Sequence, residues 1–190
     1  MKKRIVMLLL SFSLIGCGTS TTAENTTIGK IEEVEEIKPE ESQEEVKEEE
    51  ISPARVGEFI QGETWKISLL DAKQYDVISD EYFETKPDIE GNKFVVLFFE
   101  VENISDSDEH FNMFYFESYV DGYSIQSKML LSDVEGYSAL SGDVASGKKL
   151  KGYVAFEVES DWQEIEYSYK NFIGTSSKEA TFIITPDQLS

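Results

Sequence analysis

The sequence predicts an all-β domain built as an antiparallel sandwich, and three features of residues 53–190 carry that expectation. Apolar and polar residues alternate there with a period of two over short runs, as in strands with one buried face. Clusters of Ser, Gly and Asp separate those runs in the manner of turns. No long stretch shows apolar residues at helical spacing, so seven to nine short strands must bury their faces on one another.

The predicted elements follow in order. Residues 56–60 and 64–70 make a first pair, with Trp65, Ile67 and Leu69 on one face. Residues 75–90 mix Asp, Glu, Pro and Lys without a clear period and read as a long connection with room for a helical turn. Residues 93–103 form the strongest strand. Val95, Leu97, Phe99 and Val101 face one way; Phe94, Val96 and Phe98 face the other, in a row continued by Glu100 and Glu102. This pattern predicts burial from both sides at the start and water on the second face further along. Residues 111–120 and 123–128 flank Asp121 and Gly122, a dipeptide that favours a hairpin turn. Residues 132–147 read as a loop open to a brief strand at 137–140. Residues 149–158 place Leu150, Gly152, Val154, Phe156 and Val158 on an inner face, and residues 162–169 group Ile165, Tyr167 and Tyr169. Residues 180–185 close the domain before Pro186.

The chain starts quite differently. Lys2, Lys3 and Arg4 precede an apolar run from Ile5 to Ile15, the arrangement of a secretory signal. That run falls well short of the roughly 20 residues needed to span a bilayer. The residues Leu14-Ile15-Gly16-Cys17 resemble the bacterial lipobox. The resemblance implies cleavage before Cys17, lipidation of its sulfur, and attachment to the extracytoplasmic face of the cell membrane. The expected organisation is a signal peptide at 1–16, a lipidated cysteine and disordered Glu-rich linker at 17–52, and the sandwich at 53–190. Residues 18–52 hold twelve Glu and three Lys and lack aromatic residues, too little apolar surface to offset the entropy of ordering. Such a segment repels itself and reads as a spacer that lifts the domain off the bilayer.

The domain pieces, taken together, resemble a family of bacterial lipoproteins carrying a telokin-like, immunoglobulin-fold domain of unknown function. The matching residues are Val56-Gly57-Glu58, the strand 93–103 with its Val101-Glu102-Asn103 ending, Asp121-Gly122, and Gly142 to Gly147 leading into Gly152, Phe156, Glu157 and Val158. The resemblance spans residues 55–169 and implies an immunoglobulin-like antiparallel β-sandwich. The family brings no catalytic residues to transfer.

Composition narrows the chemistry. Net charge is −21; the signal carries +3 and residues 18–52 carry −9, which leaves −15 on the rest. A nucleic acid would be repelled rather than steered in. The acidity serves solubility, or attracts a basic partner or divalent cations. Cys17 is the sole cysteine, so the domain has no disulfide, thiol nucleophile or cysteine metal site. His110, the sole histidine, lies in a polar loop without the neighbours of a nucleophilic triad. Catalytic residues and cofactors are therefore expected to be absent. Asp106, Asp108 and Glu109 share one loop and form a weak Ca²⁺ candidate or a solvated turn. With Phe114 and Phe116 pointing inward, Tyr115, Tyr119 and Tyr123 form an outward strip. Such a strip either contacts a ligand or packs as a second layer. The function expected is a membrane-anchored, non-catalytic binding domain whose partner is a protein or envelope polymer. The alternative is an envelope hydrolase using two carboxylates.

Overall fold

The computed structural model describes residues 52–169 and 180–190, together with the backbone of residues 27–30. Thirteen strands run through the described residues. The first six are β1 (Thr27–Lys30), β2 (Glu58–Gln61), β3 (Trp65–Tyr75), β4 (Ile78–Ser79), β5 (Glu84–Thr85) and β6 (Lys93–Asn103). They continue with β7 (Glu109–Asn112), β8 (Phe116–Val120), β9 (Tyr123–Ser124) and β10 (Ser141–Val144). The last are β11 (Lys149–Val158), β12 (Ile165–Tyr169) and β13 (Ala180–Ile184). A five-stranded sheet, β1-β2-β3-β6-β11, faces a four-stranded sheet, β13-β12-β8-β9; the pairs β7–β10 and β4–β5 complete the fold. Every ladder is antiparallel.

The core lies between the two larger sheets. Phe99 and Phe156 from one sheet are fully buried against Tyr167 of the other, with ring centroids 5.7 Å away in both cases. Phe116 stacks on Tyr167 at 4.1 Å, and Phe182 meets Phe99 edge-on. The buried Tyr167 hydroxyl donates to the Met113 carbonyl at 3.0 Å, and burial pushes its phenol well above the usual range.

A bulge in β3 settles a conflict in its sequence. Strict alternation from Trp65, Ile67 and Leu69 would aim Asp71 into the core. The register against β6 shifts between Leu69 and Asp71. The extra residue lets Ala72 take the buried position and puts Asp71 opposite Phe98, on the outer side of the sheet where Leu70 also packs. On that outer side Phe94, Val96, Phe98, Tyr153 and Ala155 form a second cluster with Ile78 and Val134. Residues 128–139 cover it. Further along the same row Glu100 and Glu102 reach solvent and meet Lys149 and Lys151.

Other expectations change in detail. Residues 75–90 contain no helical turn; β3 runs on to Tyr75 and the β4–β5 hairpin follows. The brief strand expected at 137–140 is reduced to two isolated bridges, Tyr137 to Val134 and a parallel one from Ala139 to Tyr153. There the chain crosses β11 so closely that a Cβ on Gly152 would lie 2.7 Å from the Leu140 Cα. Residues 111–120 are split by a 3-10 turn, Met113–Tyr115, whose Phe114 amide donates to the Asn112 side chain. The Asp121-Gly122 hairpin forms as expected, with φ of 51° and 79°. The linker expected to be disordered across 17–52 departs from that at Thr27–Lys30. These four residues pair with β2, from Thr27 opposite Gln61 to Lys30 opposite Glu58. Thr27 and Ile28 are β-branched, and β2 would otherwise be an open sheet edge. The signal peptide and the rest of the linker lie outside the described residues.

Candidate interaction surface

Glu157 organises the end of the sandwich where β6 begins. It follows Phe156 on β11, so its side chain leaves the core and lies on the outer face opposite Phe94. Only 6% of that side chain is exposed. Its carboxylate accepts from the Ile89 amide at 2.9 Å and the Asn92 side chain at 3.2 Å, and pairs with the Lys128 ammonium at 2.8 Å. Lys128 also binds Asp88, and its own amide donates to the Ala155 carbonyl. Burial alone would raise the Glu157 pKa. Lys128, the amides of Asp88 and Ile89, and Asn92 outweigh it and bring the group down to about 2. One carboxylate thus ties residues 88–92 and the segment after Lys128 to β11.

A second acid fixes the far end of that segment. Glu135, in a left-handed turn at φ 52°, accepts from Lys73 at 2.8 Å and from the Tyr75 hydroxyl at 2.8 Å. Those bonds hold its carboxyl below the ordinary range. Between the two ties the chain alternates. Leu130 packs on the outer cluster, while Met129 and Leu131 are 69% and 82% exposed. The neighbouring β4–β5 hairpin behaves similarly. Ile78 is buried beside Phe94, and the Asp80 carboxylate accepts from the amides of Tyr82 and Phe83, both at 2.7 Å. That turn leaves the two aromatic rings facing solvent. Tyr82, Phe83, Ile89, Met129 and Leu131 are five of the seven large apolar side chains exposed among the described residues. All five sit on connections whose other residues pack on or tie to the first half of β6 and its β11 partner: the β4–β5 hairpin, the β5–β6 connection and the segment after Lys128.

The residues singled out in the sequence are placed otherwise. Cys17 lies outside the described residues. Tyr115, Tyr119 and Tyr123 do not form a strip. Tyr115 is half-buried against Phe111, and the Tyr119 hydroxyl donates to Glu117 at 3.1 Å. Tyr123 is exposed on β9, and Phe114 points outward rather than inward. The 3-10 turn displaces Phe114 and Tyr115 by breaking the alternation before β8 begins, and the hairpin register places Tyr123 opposite Val120 rather than beside Tyr119. Asp108 accepts from the Ser146 amide of the β10–β11 connection, and Glu109 accepts from the Ser107 hydroxyl within its own turn, so both are engaged. Among the described residues no three His, Cys, Asp or Glu side chains are grouped to hold a metal ion, and the Ca²⁺ candidate is not assembled. His110 pairs across the β7–β10 ladder with Asp143 at 2.7 Å. Asn103, which ends β6, is fully buried and donates to the carbonyls of Ser107 and Val144 while accepting from Ser105. Its part in this loop is structural.

The apolar surface escaped the sequence reading, although a signal existed. Tyr82 and Phe83 stand inside an acidic stretch, and Met129 to Leu131 sit beside a Ser-rich loop. Apolar residues without strand or helix period, set among polar ones, mark loops that expose them.

Residues 56–180 match the domain of unknown function DUF4352. The chain belongs to the DUF4352 family. Among solved structures the DUF4352 chain is similar to a candidate lipoprotein (ycdA) from Bacillus subtilis subsp. subtilis str. 168. The two share 15% identity at a TM-score of 0.50, over 66% of this chain and 37% of that one. This chain thus spans little more than a third of that relative. The yjhA protein from Bacillus subtilis aligns at 14% identity and a TM-score of 0.51, over 72% of this chain and 99% of its own. At such identity the likeness speaks for the fold. No curated protein matches the chain.

Proposed function

We propose that this DUF4352 chain is a lipid-anchored envelope protein whose sandwich serves as a non-catalytic binding module. Its contact surface is the set Tyr82, Phe83, Ile89, Met129 and Leu131. The observation that carries this reading is the concentration of exposed apolar side chains on connections pinned by Glu157 and Glu135. A monomer gains nothing in folding from leaving such groups in water, whereas a partner gains by covering them. Aromatic residues and Met are also the types enriched where proteins bind proteins. A protein of the envelope therefore fits this surface better than a charged polymer. Anchoring is supported by the Leu14-Ile15-Gly16-Cys17 motif, and ycdA is itself described as a candidate lipoprotein.

The carboxylate hydrolase reading receives less support. An acid catalyst needs a raised pKa. Glu157, the most enclosed carboxylate in the outer layer, is instead held ionised and committed to Lys128.

The test is photo-crosslinking in living cells. A photoreactive residue at Met129 or Leu131 should yield a discrete adduct with an envelope protein, and one at Ser141 should not. Equal adducts from all three sites, or none, would remove the surface from consideration. Cys17→Ser reports separately on anchoring: the protein should be released or left unprocessed. A processed Ser variant that stays with the membrane would contradict lipid attachment.

A further inference from the structure

The pairing of β1 with β2 changes what the acidic segment does. β1 is the outermost strand of the five-stranded sheet, and the chain reaches it only about ten residues after Cys17. Residues 31–57, with eleven Glu, then connect two neighbouring strands. While β1 is paired, those residues add nothing to the reach between lipid and domain. Ten residues extend at most ~35 Å, against ~120 Å for the 35 residues from Gly18 to Ser52.

The register also fixes which end of the domain the tether meets. Thr27 lies opposite Gln61, Gln61 opposite Lys66, Lys66 opposite Glu102, and Glu102 opposite Lys149. This is the charged end of the sheet. The apolar surface belongs to the other end, where Tyr75 lies opposite Phe94 and Phe94 opposite Glu157. Phe94 and Glu102 are eight residues apart along β6, or roughly 26 Å.

We infer that β1 is a clamp: by adding a strand to β2, Thr27–Lys30 holds the sandwich close to the membrane with its charged end inward and its apolar surface outward. The Glu-rich residues are then a side connection rather than a spacer. The clamp rests on lipid attachment at Cys17, and its test must separate the two. β2 offers the docking edge, and the occupant is this chain's own segment, held by backbone hydrogen bonds as in strand addition generally.

The experiment uses the processed, lipid-bound protein in phospholipid vesicles. Amide exchange at residues 27–30 should be at least about tenfold slower than in Gly29→Pro, which cannot make the strand bond at that position. Gly29→Ala should keep the protection. Energy transfer from a fluorophore on Leu131→Cys to a labelled lipid reports the height of the apolar surface. Deleting residues 36–47 should leave that height unchanged in the native background and lower it in the Gly29→Pro background. Exchange at 27–30 as fast as in Gly29→Pro, or a height that follows the deletion in the native background, would overturn the clamp. A protein that is processed but not vesicle-bound would instead defeat the anchoring. Protection at 27–30 would still report the clamp in that case.

Discussion

The outer row of β6 falls into two halves that share one backbone and one period but not one environment. Phe94, Val96 and Phe98 are sealed by residues 128–139, while Glu100 and Glu102 are partly exposed beside lysines of β11. The difference shows how a two-layer sandwich acquires a third layer over part of its surface. Three apolar residues on an outward face cannot be left to solvent, so the chain must return over them. The returning segment has its own outward positions, and these carry Met129 and Leu131. An exposed apolar surface is thus a by-product of covering a buried one, and it lies at the sealed end.

The largest effect expected is common to both halves, because the inner row runs beneath them. Phe99→Ala and Phe156→Ala remove fully buried rings and should each cost ~3–5 kcal/mol, a large share of a domain's stability. Phe98→Ala should fall at the low end of that range, since the loops above it relax more readily than a facing sheet. Chemical denaturation of the three variants measures the order. A Phe98 variant worse than both others would mean that the loop layer, not the inter-sheet core, dominates folding.

Next comes Glu157, the tie that holds the sealed half closed. Its folded pKa, about 2, lies below the ordinary value of 4.5. The stability it contributes is therefore present above pH ~4.5 and is lost as pH falls toward 2, on the order of 3 kcal/mol. Glu157→Gln should be less stable than the native chain at pH 7 and should converge with it near pH 2. A constant gap across that range would mean that shape, not charge, carries the tie.

How far the sequence revealed this division follows from the physics of each part. The two halves of β6 were legible, because a strand reports its two faces through a period of two and Glu100 marks where the outer face turns polar. The inward places of Phe99 and Phe156 were legible for the same reason. The bulge after Leu69 was not, since one inserted residue leaves no mark beyond a misplaced Asp71. The 3-10 turn at Met113–Tyr115 hid similarly; it displaced Phe114 and Tyr115, and the hairpin register that sets Tyr123 opposite Val120 undid the rest of the aromatic strip. The ties made by Glu157 join residues 68 and 29 positions away in sequence, to Ile89 and Lys128, and pairings of that kind have no local signature. β1 was obscured because four residues of strand sit beside a Glu-rich segment whose composition speaks for disorder.

The exposed half should respond more weakly. Glu100 pairs with Lys149 at 2.8 Å and with Lys151 at 3.4 Å, but both lysines are about half exposed. A double-mutant cycle of Glu100→Ala and Lys149→Ala should give a coupling of ~0.2–1 kcal/mol that shrinks in high salt. A coupling as large as the Glu157 effect would erase the distinction between the halves.

The smallest effect on stability is expected at the apolar surface itself. Met129 and Leu131 point away from the cluster that Leu130 enters, so they lose little or nothing on folding. The double variant Met129→Ser with Leu131→Ser should melt within ~0.5 kcal/mol of the native chain. Leu130→Ser, between them, should cost ~1–2 kcal/mol because its side chain packs on the covered half. The double variant should nonetheless lose the crosslinked adduct formed from a photoreactive residue at Ile89, which shares the surface without being altered. Stability kept and adduct lost would mark the surface as built for contact rather than for folding. Stability lost in the double variant would mean that these side chains help to hold the third layer down. The exposed apolar groups would then belong to the fold, and the sealed end of the sandwich would have no separate surface to offer a partner.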